Sequence, residues 1–293
     1  MIVALIDNGS LEPAATINLR AVAARLAADA GVPVHAVSWK HSDRIPAGQL
    51  DDEPAATLTP WMETQLAAGQ TEFLFVPFFI SAQGAIGSAL RRDLEKLQAD
   101  SAPFTFTFTG SLASSGVIPR TIAARVRETI SLASLEFPRV IVVDHGGPSL
   151  ASGELRNRIA QEVGSLLLPE PSPLPPPPGI DGAQLDRRPT QCVVNAASME
   201  GEEHAHNHPL LAQQLRSPGF SSGDVVIALL FLSPGRHAGP GGDVAQICAA
   251  AEAENPGLQC HLTDLVGTHP LALDALSAAL QNALSPESSS RLP

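Results

Sequence analysis

The sequence predicts an α/β fold built twice: two similar domains, each a parallel four-stranded sheet with helices on both faces. Three observations carry this expectation. Short apolar, β-branched runs alternate with helically spaced segments, as expected of parallel strands covered on both sides. The order strand, helix, strand, short helix, strand, helix, strand, helix is written once before residue 134 and again after residue 138. Each copy also opens on the same phrase, LIDNGS near the start and VVDHGG near the middle: an apolar strand, Asp, one variable residue, then Gly.

The elements follow in order. IVALID (2–7) reads as a buried strand. In 14–31, Ile17, Val22 and Leu26 recur among alanines at helical spacing, and the pattern stops at Gly31. VPVHAVS (32–38) is a strand and TPWMETQLAAG (59–69) a short helix. EFLFVPFFIS (72–81) is the strongest strand, SALRRDLEKLQAD (88–100) a helix, PFTFTFTG (103–110) an alternating strand, and 118–134 a helix. The second copy gives a strand at 139–144, a helix at 153–168, a strand at 192–198 and a short helix at 209–215. A strong strand at 224–233, a helix at 243–254, a strand at 258–266 and a closing helix at 270–284 complete it. The expected domains are therefore 1–134 and 139–284. A proline-rich insert at 168–189 interrupts the second, reading as an extended connector or a partner's docking segment. A flexible tail is expected at 285–293.

Bulk composition narrows the function. The chain of 293 residues carries 18 Lys and Arg against 30 Asp and Glu, a formal charge of −12, and its only lysines are Lys40 and Lys96. Such a chain lacks the basic footprint that nucleic acid or anionic membrane demands. Cys192, Cys248 and Cys260 form no CxxC pair and read as buried thiols of a reducing compartment. MIVALID has no basic n-region, and no apolar run reaches the length of a membrane span. The expectation is a cytoplasmic monomer.

Ligands of parallel α/β sheets bind beyond the C-terminal ends of the strands. In the second copy those ends carry His145, Glu200, His237 and His269 in turn. Two imidazoles and a carboxylate are a common ligand set for borderline divalent metals, so His145, Glu200 and His237 are the candidate metal ligands. Glu200 competes with other carboxylates in EGEEHAHNHP. His269, beside Pro270, either touches substrate or caps the last helix. The histidines of EEHAHNH (202–208) either hold a divalent metal loosely or line a solvated loop. SPGRHAGPGGD offers backbone N–H groups and Arg236 to a carboxylate, or is simply a Gly-rich turn. Neither GxGxxG nor GxxxxGK[ST] occurs, so no organic cofactor or nucleotide is expected, and Ser149 stands outside a GxSxG elbow, which argues against a hydrolase. In the first copy Asn8 stands at the position of His145, and Ala85 at that of His237. The imidazoles are absent from both places together, which marks one active half.

VVDHGGPS, AASME, ALLFLSPGRHAGPGGDV and LVGTHPLALDAL resemble the motifs of the sirohydrochlorin cobalto- and ferrochelatases, the class II tetrapyrrole chelatases, in their two-repeat form. The resemblance implies two flavodoxin-like domains with a cleft between them. It also implies ATP-independent insertion of Co2+ or Fe2+, the metal being a substrate, into sirohydrochlorin. It makes His145 and His237 the metal-handling and proton-accepting pair and Glu200 the acidic ligand, with Gly146, Ser233, Arg236, Gly239 and His269 toward the macrocycle. The family's Asp-Ile-Pro is Asp243-Val244-Ala245 here. A non-catalytic metal or tetrapyrrole carrier, and a purely structural partner protein, are the other readings.

Overall fold

A computed structural model describes residues 1–81, 85–136, 138–168 and 192–285. Most of the proline-rich insert and of the tail lies outside these residues. In the first repeat the order is β1 (Ile2–Asp7), α1 (Pro13–Ala30), β2 (Val34–Ser38), α2 (Leu58–Ala67), β3 (Glu72–Pro77), α3 (Ala85–Asp100), β4 (Thr105–Phe108) and α4 (Val117–Leu132). The second repeat runs β5 (Arg139–Asp144), α5 (Leu150–Leu166), β6 (Val194–Ser198), α6 (Leu211–Gln214), β7 (Gly223–Leu229), α7 (Asp243–Glu254), β8 (Leu258–Leu262) and α8 (Pro270–Leu284).

Both sheets are parallel and share one topology, β2-β1-β3-β4 and β6-β5-β7-β8. The registers correspond as well: Val3 pairs with Val34 as Val140 pairs with Val194, and Ile2 pairs with Phe73 as Arg139 pairs with Val225. The central strands β1, β3, β5 and β7 are buried almost throughout, which is why they read as continuous apolar runs. Helix α1 starts on Pro13, where a missing N–H costs nothing. It stops at Gly31, which takes the left-handed conformation and returns its N–H to Ala27 O.

Two strands are shorter than their apolar runs. β3 ends at Pro77, which has no N–H for the ladder, although Phe78 and Phe79 stay buried beyond it. β7 ends at Leu229; Leu230 N–H still reaches Val143 O, but Phe231 O accepts from Val266 N–H instead of a sheet partner. Apolar composition reports burial in both places, and pairing stops sooner. β8 likewise stops at Leu262, before a 3-10 turn at Val266–Thr268.

The chain forms two compact units that exchange segments. One comprises Met1–Thr121, Phe231–Ala245 and Leu265–Pro293; the other comprises Ile122–Leu230 and Gln246–Asp264. The closing helix α8 therefore belongs with the first sheet. Arg25 of α1 pairs with Asp274 at 3.0 Å, and Asp29 accepts from Ser277 Oγ at 2.6 Å. Most of α4 counts with the second unit, where Arg125 meets Asp264 at 3.6 Å and Arg127 donates to Leu166 O. Among the described residues no helix is long and apolar enough to cross a membrane.

Candidate metal-handling site

Beyond β5 the chain turns through His145, Gly146 and Gly147, and beyond β6 through Met199, Glu200 and Gly201. The backbones of the two turns are tied together: Met199 N–H donates to Asp144 O at 2.8 Å and Glu200 N–H to His145 O at 3.1 Å. Gly146 takes φ +85, and a Cβ there would lie 2.1 Å from Glu200 O. Its role in the structure is to let the turns approach. The side chains then meet, with His145 Nε2 3.4 Å from Glu200 Oε1 and Nδ1 2.9 Å from Gly146 O. Both are well exposed. With its proton on Nδ1 toward Gly146 O, a neutral His145 turns the Nε2 lone pair to the Glu200 carboxylate. Two ligands at roughly 2.1 Å from a tetrahedral divalent ion stand about 3.4 Å apart, so the spacing suits a shared cation. Of the several carboxylates in EGEEHAHNHP, Glu200 is the one brought to His145.

A buried guanidinium underlies this turn. Arg156, on the apolar stripe of α5 with Gly153, Ile159, Ala160 and Val163, is only 1% exposed. Its Nη1 reaches Asp144 Oδ1 at 3.5 Å, Asn207 O at 3.5 Å and Ser198 Oγ; Nη2 reaches His206 O at 2.9 Å and Asn157 Oδ1 at 2.9 Å. Ser198 Oγ also donates to Asp144 Oδ1 at 2.7 Å. Sequence reasoning missed Arg156; an arginine in register with apolar positions on a helix was the available signal.

The histidine-rich loop is built into the same turn. His206 Nε2 is 2.8 Å from Gly147 O, and Asn207 Nδ2 donates to Gly147 O at 3.2 Å and Gly201 O at 2.9 Å. His204 and His206 stack with ring centroids 5.4 Å apart. His208 faces two acceptors, Gln213 Oε1 at 3.0 Å and Glu202 O at 2.9 Å. These contacts push its pKa above the usual 6.5, the Glu202 carbonyl contributing most. In its protonated form His208 donates to both acceptors and offers no lone pair to a metal.

The remaining sequence-derived candidates lie on the first unit. His237 Nδ1 is 2.6 Å from Asp243 Oδ2, and Arg236 Nε lies 3.8 Å from the same oxygen. Asp243 opens α7, and its N–H returns to Arg236 O while Val244 N–H returns to His237 O. A neutral His237 donates through Nδ1, which puts its lone pair on Nε2. Ser233 Oγ accepts from Asn18 Nδ2 at 3.0 Å, and Gly239 O accepts from Gly242 N–H in the same loop. His269 is buried and caps α8, its Nδ1 accepting from Leu271 N–H at 3.1 Å. Among the described residues no group of three or more His, Cys, Asp or Glu side chains is gathered at metal-binding spacing.

The first repeat keeps the frame and changes the chemistry. Trp39 N–H donates to Asp7 O at 2.8 Å and Lys40 N–H to Asn8 O at 3.3 Å, so Asn8 and Lys40 occupy the places of His145 and Glu200. A Cβ at Gly9 would lie 1.7 Å from Lys40 O, repeating the constraint on Gly146. Counting from the helix starts at Pro13 and Leu150, Leu19 stands where α5 has Arg156. Asp7 is consequently a buried carboxyl with no such guanidinium; burial raises its pKa to about 6 against hydrogen bonds from Ser38 and Gly9.

Comparison with known proteins bears out the resemblance read from the motifs. Residues 185–283 match the CbiX family model. SirB from Bacillus subtilis with Fe3+ superposes at TM-score 0.61 and 13% identity, covering 99% of this chain and 98% of that one. CbiX, the terminal enzyme for biosynthesis of siroheme in denitrifying bacteria, gives TM-score 0.59 and 18% identity over 97% and 99%. The sirohydrochlorin chelatase SirB from Bacillus subtilis subspecies spizizenii, in complex with cobalt, gives 0.58 and 14% over 98% and 97%. No curated protein matches the sequence. The two-sheet architecture is thus that of the chelatase structures.

Proposed function

We propose that this chain inserts a divalent metal, Fe2+ or Co2+, into sirohydrochlorin or a closely related tetrapyrrole without ATP, in the formation of siroheme or cobalamin. The observation that carries this reading is the His145–Glu200 pair, 3.4 Å apart in a frame whose other copy holds Asn8 and Lys40. A family match that falls in the second repeat supports it further.

The chemistry requires little more. As the metal enters, the macrocycle gives up two pyrrole protons and supplies its nitrogens as ligands. His145 and Glu200 hold the incoming cation through one nitrogen and one oxygen. So incomplete a ligand set favours release once four macrocycle nitrogens compete for the ion. His237, its Nδ1 fixed by Asp243, accepts one of the two pyrrole protons at Nε2, and His145 accepts the other at Nε2 as the metal leaves it for the macrocycle. Arg236, Ser233 and the glycine-rich turn at Gly239 supply donors for the substrate's carboxylates, and Gly146 keeps the metal-handling turn closed. The metal remains a substrate throughout, and no organic cofactor takes part.

The test is anaerobic mixing of the protein with sirohydrochlorin and Co2+, then Fe2+, following the macrocycle's absorption and subtracting the metal-only rate. Multiple turnovers in the wild type, lost in His145→Ala and His237→Ala, are expected. Binding of macrocycle or metal at the uncatalysed insertion rate in all three proteins would overturn the proposal in favour of a carrier.

A further inference from the structure

We infer that Arg156 is a positioning residue: its buried guanidinium holds the His145–Glu200 pair in place and is not required by the fold. The inference rests on the proposed function for its activity readout, but its argument is geometric. The anchors of the guanidinium flank the pair closely. Asp144 precedes His145, and Ser198 lies two residues before Glu200. His206 and Asn207, whose carbonyls Arg156 engages, grip Gly147 on the far side of His145; Asn207 also grips Gly201, next to Glu200. One planar group therefore fixes both ends of both turns, as its five donors in a rigid fork allow.

The first repeat supplies the control. Asp7, Ser38, Gly9 and Lys40 reproduce the strand ends and the close turn without any arginine, because Leu19 fills the corresponding place and is itself buried. The frame folds with a leucine there. Burying a charge is costly unless every donor is satisfied, and that cost is met only in the copy that carries the imidazole. The histidine-rich loop fits the same account: His206 and Asn207 act as struts between Arg156 and Gly147. A lysine at 156 would keep the charge but lose the fork.

The test compares the wild type with Arg156→Lys and with the double variant Arg156→Leu/Asp144→Asn, which removes the buried guanidinium and the charge of its part-buried carboxylate partner together. Two quantities are read: the KM and kcat of metal insertion, and the imidazole 15N signals of His145, assigned by their loss in His145→Ala. The expected result is a kcat lowered roughly 10- to 100-fold, a KM for the macrocycle that moves little, and displaced His145 signals in proteins with a wild-type amide spectrum. Unchanged His145 signals in both variants, or unfolding of both, would overturn the inference. Absence of insertion by the wild type would count against the proposed function, while the imidazole signals would still decide the role of Arg156.

Discussion

Asp243 Oδ2 stands 2.6 Å from His237 Nδ1, on the first residue of the helix that follows the histidine's loop. The carboxylate fixes both the tautomer and the ring plane, so the imidazole presents Nε2. Asp243→Ala is expected to lower metal insertion roughly 10- to 100-fold, with a smaller loss in Asp243→Asn, whose carbonyl still accepts from Nδ1. Steady-state insertion rates with folding checked by circular dichroism decide this; equal rates in Asp243→Ala and the wild type would refute the assignment.

Gly146 and Gly9 make the same close approach in the two repeats, at φ +85 and +82. Alanine at either place must both strain the backbone and push back a carbonyl oxygen. Each substitution is expected to destabilise the protein by about 1–3 kcal/mol or more, visible as a lower melting temperature. Only Gly146→Ala should also reduce insertion when both variants are assayed well below their transitions, because only that turn carries the imidazole.

Asp7 gives the protein a pH dependence of known sign. Its folded pKa of about 6 lies above the unfolded value of 3.8, chiefly because burial disfavours the charge. The stability it contributes is full below about pH 3.8 and is lost as the pH rises through 6, about 3 kcal/mol in all. Asp7→Asn keeps an acceptor for Gly9 N–H and removes the charge. It is expected to raise the urea midpoint at pH 7–8 and to flatten the decline between pH 4 and 6. A midpoint at pH 8 equal to or below the wild type's would contradict this.

His208 should titrate above 6.5 by NMR, because the Glu202 carbonyl and the Gln213 side chain both accept from its ring. Whatever stability it lends is present below pH 6.5 and disappears as the pH climbs past its raised folded value. Gln213→Leu is expected to bring the midpoint down without restoring 6.5, since the Glu202 contact remains. An unmoved midpoint would remove Gln213 from the account.

Much of this was legible in the sequence, and for physical reasons. Parallel strands buried on both faces cannot hide their apolar runs, so every strand and helix of the two repeats was found, with β1, β5, α7 and α8 in their observed bounds. The edges of β3 and β7 were overrun because Phe78, Phe79 and Leu230 are buried without extending their strands. His145 was legible because Asn8 sat at its place in the other copy. Glu200 could not be chosen from its neighbours by spacing, since it is the backbone bond to His145 O and the side-chain approach to His145 Nε2 that single it out. Lys40, its counterpart, was equally invisible, although Ser38-Trp39-Lys40 and Ser198-Met199-Glu200 leave their strands alike. Arg156 was hidden for the opposite reason: a long charged side chain on a helix is ordinarily solvated, and burial is a property of its partners.

The pairing of α8 with α1 has a further consequence for how this chain can be divided. The sequence repeats at about residue 138, yet the face that Ala272, Leu276 and Leu280 bury belongs to the first repeat's unit. Cutting between the repeats would leave one fragment with a naked greasy helix and the other with the socket it came from. Neither half is a spare part that could be lost or expressed alone. A chain whose repeats have traded helices in this way keeps both copies, whichever of them carries the chemistry.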